Sequence, residues 1–553
     1  MNSKLWHRHY PEGIPKYIDL PNVSLYDFLV QSANRYPDNT AIIFQNHELT
    51  YIELKERVDR IATALSDLGI KKGNRVAILL PNCPQLVISY YAIMRLGAIA
   101  VMVNPMYTER ELSYILKDSG AATLIYLDQL QPKVANILPH TAIEILIATS
   151  VQQYLALGND LNQIVGDGGV KEVLSFERLL VESLPAPPEV ALDIDEDIVV
   201  LQYTGGTTGV VKGTMLTQRN LAGNTIQTRH WLSECREGKE RFFCVLPFFH
   251  IFAMTTCMNL SVYLASTMIL IPRLEAMNLL KQIVMYQPTV FQGVPSLYVA
   301  VIANPEVKKY DLSSIRICLS GGAPLPAEVQ QKFEAFTGAK LVEGYGLTEA
   351  SPVTQCNPLN DQKVDGSIGL PIPNTEIKIV DLETGSQELP IGAVGELCIR
   401  GPQIMKGYWQ MPEETARVLR DGWLHTGDIA RLDEKGFTHI VDRKKDLVIS
   451  MGYNIYPREV EEVIYGHPKV KEAAVIGIKD RTRGEVLKAF VVLHEGEEAR
   501  RDEIIKYCRQ HLTQYKVPKR VEFRKELPKS TVGKVLRRIL VEEEAAKDKK
   551  YSF

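Results

Sequence analysis

Apolar residues in the first part of the chain follow two alternating periods. Leu54, Val58, Ile61, Leu65 and Leu68 recur at helical spacing, Lys71 to Asn74 interrupt, and Val76 to Leu80 run as a buried strand. A second helix and the run Ala98 to Val103 follow, then a capping box from Thr108 to Glu111 and the strand-like Ala122 to Leu127. This alternation predicts an α/β region with helices flanking a sheet, an arrangement that often carries nucleotide sites.

Beyond it, a Pro-rich connection at Ser183 to Pro188 and the acidic Asp193 to Asp197 lead into a strand over Ile198 to Tyr203. Ile377 to Val380 and Glu396 to Arg400 are short β-like runs divided by Gly and Pro turns, which predicts a small β-rich subdomain. The charged run Asp442 to Asp446 reads as a boundary. After it, a helix from Pro457 and strands near Ala473 to Ile478 and Ala489 to Leu493 predict a small α+β unit. The fold class is therefore α/β. A large N-terminal domain of several subdomains, with mixed sheets and the β-rich piece, spans 1–441, and a small α+β C-terminal domain spans 442–553.

Composition narrows the function. A hydrophobic fraction of 45% with 23% charged residues excludes a disordered or collagen-like chain. With 63 Lys plus Arg against 66 Asp plus Glu, no global basic field exists to hold nucleic acid, so any anion must be gripped locally. The eight cysteines show no CxxC pair and no zinc spacing. With no secretory signal visible in the first residues, the expected location is a reducing cytoplasm. The most apolar stretches, Ala92 to Val103 and Met258 to Ile271, are broken by Arg95 or by Asn259, Ser261, Ser266 and Thr267. They fall short of a ~20-residue membrane span and read as buried core.

The most informative segment is Tyr203-Thr204-Gly205-Gly206-Thr207-Thr208-Gly209-Val210-Val211-Lys212-Gly213. Its glycines let backbone N–H groups approach a polyphosphate, and its threonine hydroxyls and one lysine add donors. It is not a kinase-type P-loop, because Val211 and Gly213 flank Lys212 where that motif needs Gly and Ser or Thr. Thr214 to Leu216 continue as a strand and the next helix begins near Thr217, so no helix N-terminus follows the loop.

This loop resembles the phosphate-binding signature of the AMP-forming adenylate synthetases, the superfamily of acyl-CoA synthetases, peptide-synthetase adenylation domains and firefly luciferase. Further segments match the family in order: Gly321 to Leu325 (GGAPL), Glu343 to Glu349 (EGYGLTE), Thr426-Gly427-Asp428, Asp442 to Asp446 (DRKKD), and Pro528 to Lys534 (PKSTVGK). Together they cover essentially the whole chain. The resemblance implies that Thr204, Gly205, Gly206, Thr207, Thr208, Gly209 and Lys212 hold the ATP phosphates, and that Gly321, Gly322, Ala323, Tyr345 and Gly346 surround the adenine. Thr348 suits a phosphate hydrogen bond, and Glu349 supplies the hard oxygen ligand that Mg²⁺ prefers. Asp428 suits two ribose hydroxyls, and Arg443 matches the family arginine at the ribose. Lys445 stands at the family's interdomain hinge, which makes the C-terminal domain mobile. Lys534 is the implied catalytic lysine of adenylation, bridging the carboxylate and the α-phosphate in concert with Thr348 and Glu349.

On residue chemistry alone, Thr426 to Asp428 also reads as a plain turn, Asp442 to Asp446 as a solvated charge run, and Phe248 to His250 as ordinary core. The resemblance gives Phe249 and His250 to the wall of an acyl site. It puts Trp231 at a tunnel gate, where a core tryptophan is the alternative. Met451, Gly452 and Tyr453 fall on the coenzyme A side, and Met451 departs from the family's second glycine there.

The TGGTTG loop and Glu343 to Pro358 look most like bacterial long-chain fatty-acyl-CoA synthetases. Phe248 to Met258 contain no Asp or other charge to receive an amino-acid ammonium group, and a neutral pocket suits an apolar chain. The expected enzyme is an AMP-forming acid–thiol ligase for medium- to long-chain fatty acids, using ATP, Mg²⁺ and coenzyme A. Alternatives are a ligase of 4-coumarate-like aromatic acids, a fatty-acyl-AMP ligase, and a non-catalytic acyl-nucleotide-binding protein. Small molecules are the expected partners, nucleic acid is not, and a greasy substrate adds transient membrane-surface contact and a homodimer as further expectations.

Overall fold

The computed structural model describes residues 4–45, 47–151, 163–166, 169–205, 211–273, 278–450, 453–480, 484–529 and 535–550. The chain forms two compact units, Met1–Glu376 with Arg400–Leu424, and Ile377–Ile399 with His425–Phe553. Residue 441 falls within the second.

In the first unit, the alternation read from Leu54 to Leu127 is the parallel part of an eight-stranded sheet. Its strands run in the order Gly407–Tyr408, Val211–Thr217, Ile198–Gly205, Ile99–Met102, Arg75–Leu79, Thr123–Leu127, Ile145–Thr149 and Leu174–Ser175. Thr50 and Glu53 cap the helix Tyr51–Asp67, which buries Leu54, Val58, Ile61 and Leu65 and packs chiefly against the helices Leu25–Arg35, Pro84–Arg95 and Phe176–Glu182. Each such fully buried side chain contributes ~1.5–3 kcal/mol. Thr108 and Glu111 form the anticipated capping box of the helix Glu109–Ser119, which ends at Gly120 with a left-handed φ of 60°. Pro84–Arg95 is apolar on every side and buried except at Arg95. At one edge Val211–Thr217 runs antiparallel to Ile198–Gly205, and Gly407–Tyr408 antiparallel to Val211–Thr217. The phosphate-loop motif therefore belongs to a hairpin, and the next helix starts only at Gln218.

A nine-stranded sheet completes this unit. Its parallel block runs Lys340–Gly346, Ile317–Ser320, Val290–Gly293, Arg241–Cys244, Thr267–Leu270 and Thr40–Phe44. The apolar stretch from Met258 begins inside a buried helical run, Ile251–Ala253, a π-helical turn Met254–Asn259 and Leu260–Tyr263. No apolar stripe announces that helix, because all its faces are covered.

In the second unit, the short β runs near Ile377 and Glu396 join Trp423–Leu432 and Thr438–Arg443 in a small sheet. A second sheet holds Tyr453–Ile455, Val448–Ser450, Gly484–Leu493, Val470–Asp480 and Arg520–Phe523. Pro457 opens the helix Pro457–Tyr465, where its missing N–H costs nothing. Val448, Ile455, Val460, Ile464, Val475 and Leu487 share its core. Among the described residues no helix is long and apolar enough to cross a membrane. The eight cysteines are buried thiols.

Candidate active site

Three of the chemistry-bearing segments leave the carboxyl ends of strands in the parallel block, the usual place for a ligand in an open α/β sheet. Gly321–Ala323 follow Ile317–Ser320, Leu347–Glu349 follow Lys340–Gly346, and Leu246–His250 follow Arg241–Cys244. The first two are braced together: Ser320 pairs with Glu343, and the Glu343 carboxylate accepts the N–H of Leu325 at 3.2 Å. Gly322 has a φ of +78°, which favours glycine, and a Cβ added there would meet only Val294, at 3.6 Å. At Gly346 a Cβ would stand 2.2 Å from the carbonyl oxygen of Pro352, so only glycine fits without moving backbone. Tyr345 lies between, half-buried and paired with Gln355.

Thr348 is buried and Glu349 half-buried in the turn that follows. The Glu349 carbonyl accepts the N–H of Met405 at 2.8 Å, and its Oε1 accepts the hydroxyl of Tyr408 at 2.7 Å. Its other oxygen makes no hydrogen bond among the described residues, leaving one hard donor for a cation. Among those residues no cluster of three metal-ligating side chains exists. The second Glu349 oxygen is the kind of ligand that Mg²⁺ arriving on phosphates takes from a protein, one or two carboxylates in all. Tyr408 also faces Lys212, whose Nζ stands 4.8 Å from the ring centre and 2.8 Å from Glu414 Oε2. Burial, with Glu349 adding to it, pushes the Tyr408 hydroxyl far above its usual pKa, so it donates at all physiological pH values. Thr204 pairs with Lys212 across the hairpin and Gly205 with Val211. Tyr408 and Glu414 were not singled out from sequence; the Pro-Glu-Glu at Pro412 to Glu414 carried no local signal of a lysine partner.

The segment Pro247 to Asn259 meets three strand-end segments of this site. Gln202 Nε2 donates to the Phe249 carbonyl at 2.8 Å, a Cβ on Gly321 would stand 3.1 Å from the Phe252 ring, and Thr255 Oγ1 donates to the Ser351 carbonyl at 2.6 Å. His250 Nδ1 accepts the N–H of Phe252 at 3.3 Å, which leaves the proton of the neutral ring on Nε2. Burial lowers the His250 pKa from 6.5 to about 4. The folded value lies below the unfolded one, so the neutral ring supports the fold above pH 6.5, and that support is lost as pH falls toward 4. The urea midpoint of the wild type should therefore drop relative to that of His250→Gln over this interval; a constant difference would mean an unshifted ring. Trp231 is 2% exposed, donates to the Asn357 carbonyl at 3.2 Å and packs edge-on against Tyr10. Its helix, Gln218–Trp231, ends there.

In the second unit the structure brings Asp428 and Arg443 together as cross-strand partners, with Arg443 Nε 3.7 Å from Asp428 Oδ1. The turn before Asp428 is held by Glu396, a buried carboxylate absent from the sequence reading. Its Oε1 accepts the N–H of Gly427 at 3.1 Å and its Oε2 the Nζ of Lys444 at 2.9 Å. On the other flank of Lys445, Asp446 is held by Arg537 Nη1 at 2.9 Å. Lys445 itself is exposed and makes no hydrogen bond or ion pair among the described residues. Both neighbours are anchored and Lys445 is not, which suits a pivot. Tyr453 is exposed and stacks on Tyr515 at 4.7 Å. Gly206, Thr207, Thr208, Gly209, Met451, Gly452 and Lys534 lie outside the described residues.

Residues 29–409 match the AMP-binding enzyme family, and residues 459–534 match the AMP-binding enzyme C-terminal domain. The chain belongs to the AMP-binding enzyme family. It is 46% identical over 557 residues to a long-chain-fatty-acid–CoA ligase of Bacillus subtilis (strain 168), covering 98% of each chain. A long-chain-fatty-acid–CoA ligase of Salmonella typhimurium (strain LT2) is 41% identical, with 99% of each chain covered. The crystal structure of ATP-bound MatB from Rhodopseudomonas palustris aligns with a TM-score of 0.83 at 29% identity, over 94% of this chain and 99% of that one.

Proposed function

We propose that this chain is a fatty acid–CoA ligase. It converts a medium- to long-chain fatty acid, ATP and coenzyme A to acyl-CoA, AMP and pyrophosphate through an acyl adenylate. The observation that carries the reading is the uncharged Pro247 to Asn259 segment, hydrogen-bonded to the strand before the phosphate loop and to the Glu349 turn, and packed against Gly321. An apolar acid lying along it has its carboxylate at the nucleotide.

The carboxylate is the nucleophile. It attacks the α-phosphorus in line and expels pyrophosphate, so the protein mainly positions and neutralises. Thr204 and Lys212 bind phosphates, with Lys212 leaving Glu414 to do so; Thr348 donates to a phosphate oxygen. Mg²⁺ bound with ATP neutralises phosphate charge, and Glu349 is the residue that would hold it. Asp428 and Arg443 take the ribose. Lys534 neutralises charge in the adenylation step and is then withdrawn as the C-terminal domain rotates about Lys445. The coenzyme A thiolate, passing Gly452, attacks the acyl carbonyl and AMP departs. A cytoplasmic location belongs to this proposal, as do transient contact with a membrane surface that supplies the acid, and a homodimer.

An acid panel assayed for AMP release with and without coenzyme A tests it. Release with palmitate only when coenzyme A is present supports the reading. Preference for cinnamates makes the substrate an aromatic acid, pyrophosphate exchange without thioester makes the protein an acyl-AMP ligase, and no turnover makes it a binding protein.

A further inference from the structure

Between Thr438–Arg443 and Val448–Ser450 the chain leaves one sheet of the second unit and enters the other. Arg537, at the start of the helix Arg537–Lys550, faces carboxylates from both sides of that crossing. Its Nε and Nη2 hold Glu461 Oε1 and Oε2 at 3.0 and 2.5 Å, a bidentate pair. Its Nη1 holds Asp446 Oδ2 at 2.9 Å and stands 3.7 Å from Asp442 Oδ1. Glu461 is fixed to the far sheet through the N–H of Val475 at 2.7 Å, and Asp446 follows the pivot. Asp442 precedes the pivot and is paired with Ile429 in the near sheet. Its carboxylate also accepts the N–H of Arg458, on the far side, at 2.7 Å.

The carboxylates outnumber the guanidinium here. Asp442 and Glu461 are buried, and burial raises the pKa of both. A group that neutralises them is therefore worth more than a surface ion pair, and losing it leaves a buried charge unpaired. Rotation about Lys445 leaves the Glu461–Arg537–Asp446 set intact, since all three lie beyond the pivot. The same rotation must break or remake what joins Arg537 and the Arg458 N–H to Asp442.

We propose that Arg537 is a positioning residue that, with Asp442, latches the small domain in one of its two arrangements about Lys445 and so sets the partition between the two half-reactions. The inference rests on the domain-alternation reading above. Arg537 lies close after Lys534 in sequence, so the latch acts on the segment that carries the adenylation lysine.

The test uses the full-length chain and two separate assays: acid-dependent ATP–pyrophosphate exchange, and thioester formation from supplied palmitoyl adenylate plus coenzyme A. Asp442→Asn keeps the side-chain volume and removes the charge. It should change the ratio of the two rates by about fivefold or more, the lower range of conformational coupling, slowing one half-reaction while the other holds or accelerates. Arg537→Lys, whose single ammonium cannot face Glu461, Asp446 and Asp442 at once, should move the ratio in the same direction; it decides the matter if Asp442→Asn does not fold. Both rates falling in proportion, or neither changing, overturns the latch and leaves Arg537 a packing residue. Lys445→Pro is the parallel control, because proline fixes φ near -65°. If it fails to separate the half-reactions, alternation itself is wrong; if it separates them and the other two variants do not, the latch alone fails.

Discussion

Replacing Lys534 with alanine should cut adenylate formation from acid and ATP by about 10²–10³-fold, the usual effect of deleting one transition-state contact in a water-poor site. A supplied acyl adenylate and coenzyme A should still give thioester at close to the wild-type rate. The lysine lies outside the described residues, but the ends of its segment are closed. Lys529 and Val535 form an antiparallel bridge, and the N–H of Leu536 donates to the Pro528 carbonyl at 2.8 Å. Leu527 and Leu540 are buried in one cluster, with Val535 packed against it, so the closed base is fixed to the small domain. On the role proposed for the lysine, which is confined to that step, the thermal midpoint of Lys534→Ala should stay close to that of the wild type. If Gly452 lines the thiol path as proposed, Gly452→Ile should do the reverse in the two assays. Each half-reaction has to be measured alone, because steady-state turnover reports only the slower. Equal loss in both steps on Lys534→Ala would falsify step-specific use of the lysine and favour an enzyme with one arrangement.

What sequence made legible follows from how far apart the cooperating residues are. Strands covered on both faces, such as Arg75–Leu79 and Thr123–Leu127, announce themselves as apolar runs, and capped helices such as Glu109–Ser119 as local motifs. The glycine- and threonine-rich segment from Tyr203, Gly321-Gly322 and Thr348-Glu349 stand out as candidates for the same reason, since each packs its chemistry into a few consecutive residues. Tyr408 meets Glu349 across 59 positions, Lys212 meets Glu414 across 202, and Arg537 meets Asp446 across 91. Nothing local encodes such pairs; they exist only once the fold brings distant segments together. The helical run Ile251–Tyr263 escaped for a different reason: burial on all faces erases the period that marks a helix.

Glu349 tests whether the site built from those distant pairs is the working one. Glu349→Gln keeps the shape and leaves an amide oxygen to accept the Tyr408 hydroxyl, so the turn should hold and the thermal midpoint change little. It removes the negative charge that, on the proposed reading, holds a phosphate-bound Mg²⁺. Adenylate formation should fall by about 10²–10³-fold, and the Mg²⁺ concentration giving half-maximal rate should rise. Thioester formation from supplied adenylate, which needs no pyrophosphate expulsion, should be spared. Tyr408→Phe removes one hydrogen bond to the carboxylate, worth about 1.5–3 kcal/mol at most for a charged acceptor, so its effect on adenylation should be smaller. If Tyr408 acts by aiming Glu349, adding Tyr408→Phe to Glu349→Gln should cost almost nothing further, a non-additivity that independent residues do not show. An unchanged Mg²⁺ requirement in Glu349→Gln, with the loss confined to stability, would make Glu349 the acceptor that holds the Gly407–Tyr408 strand in place, and the cation would have to be sought on other oxygens.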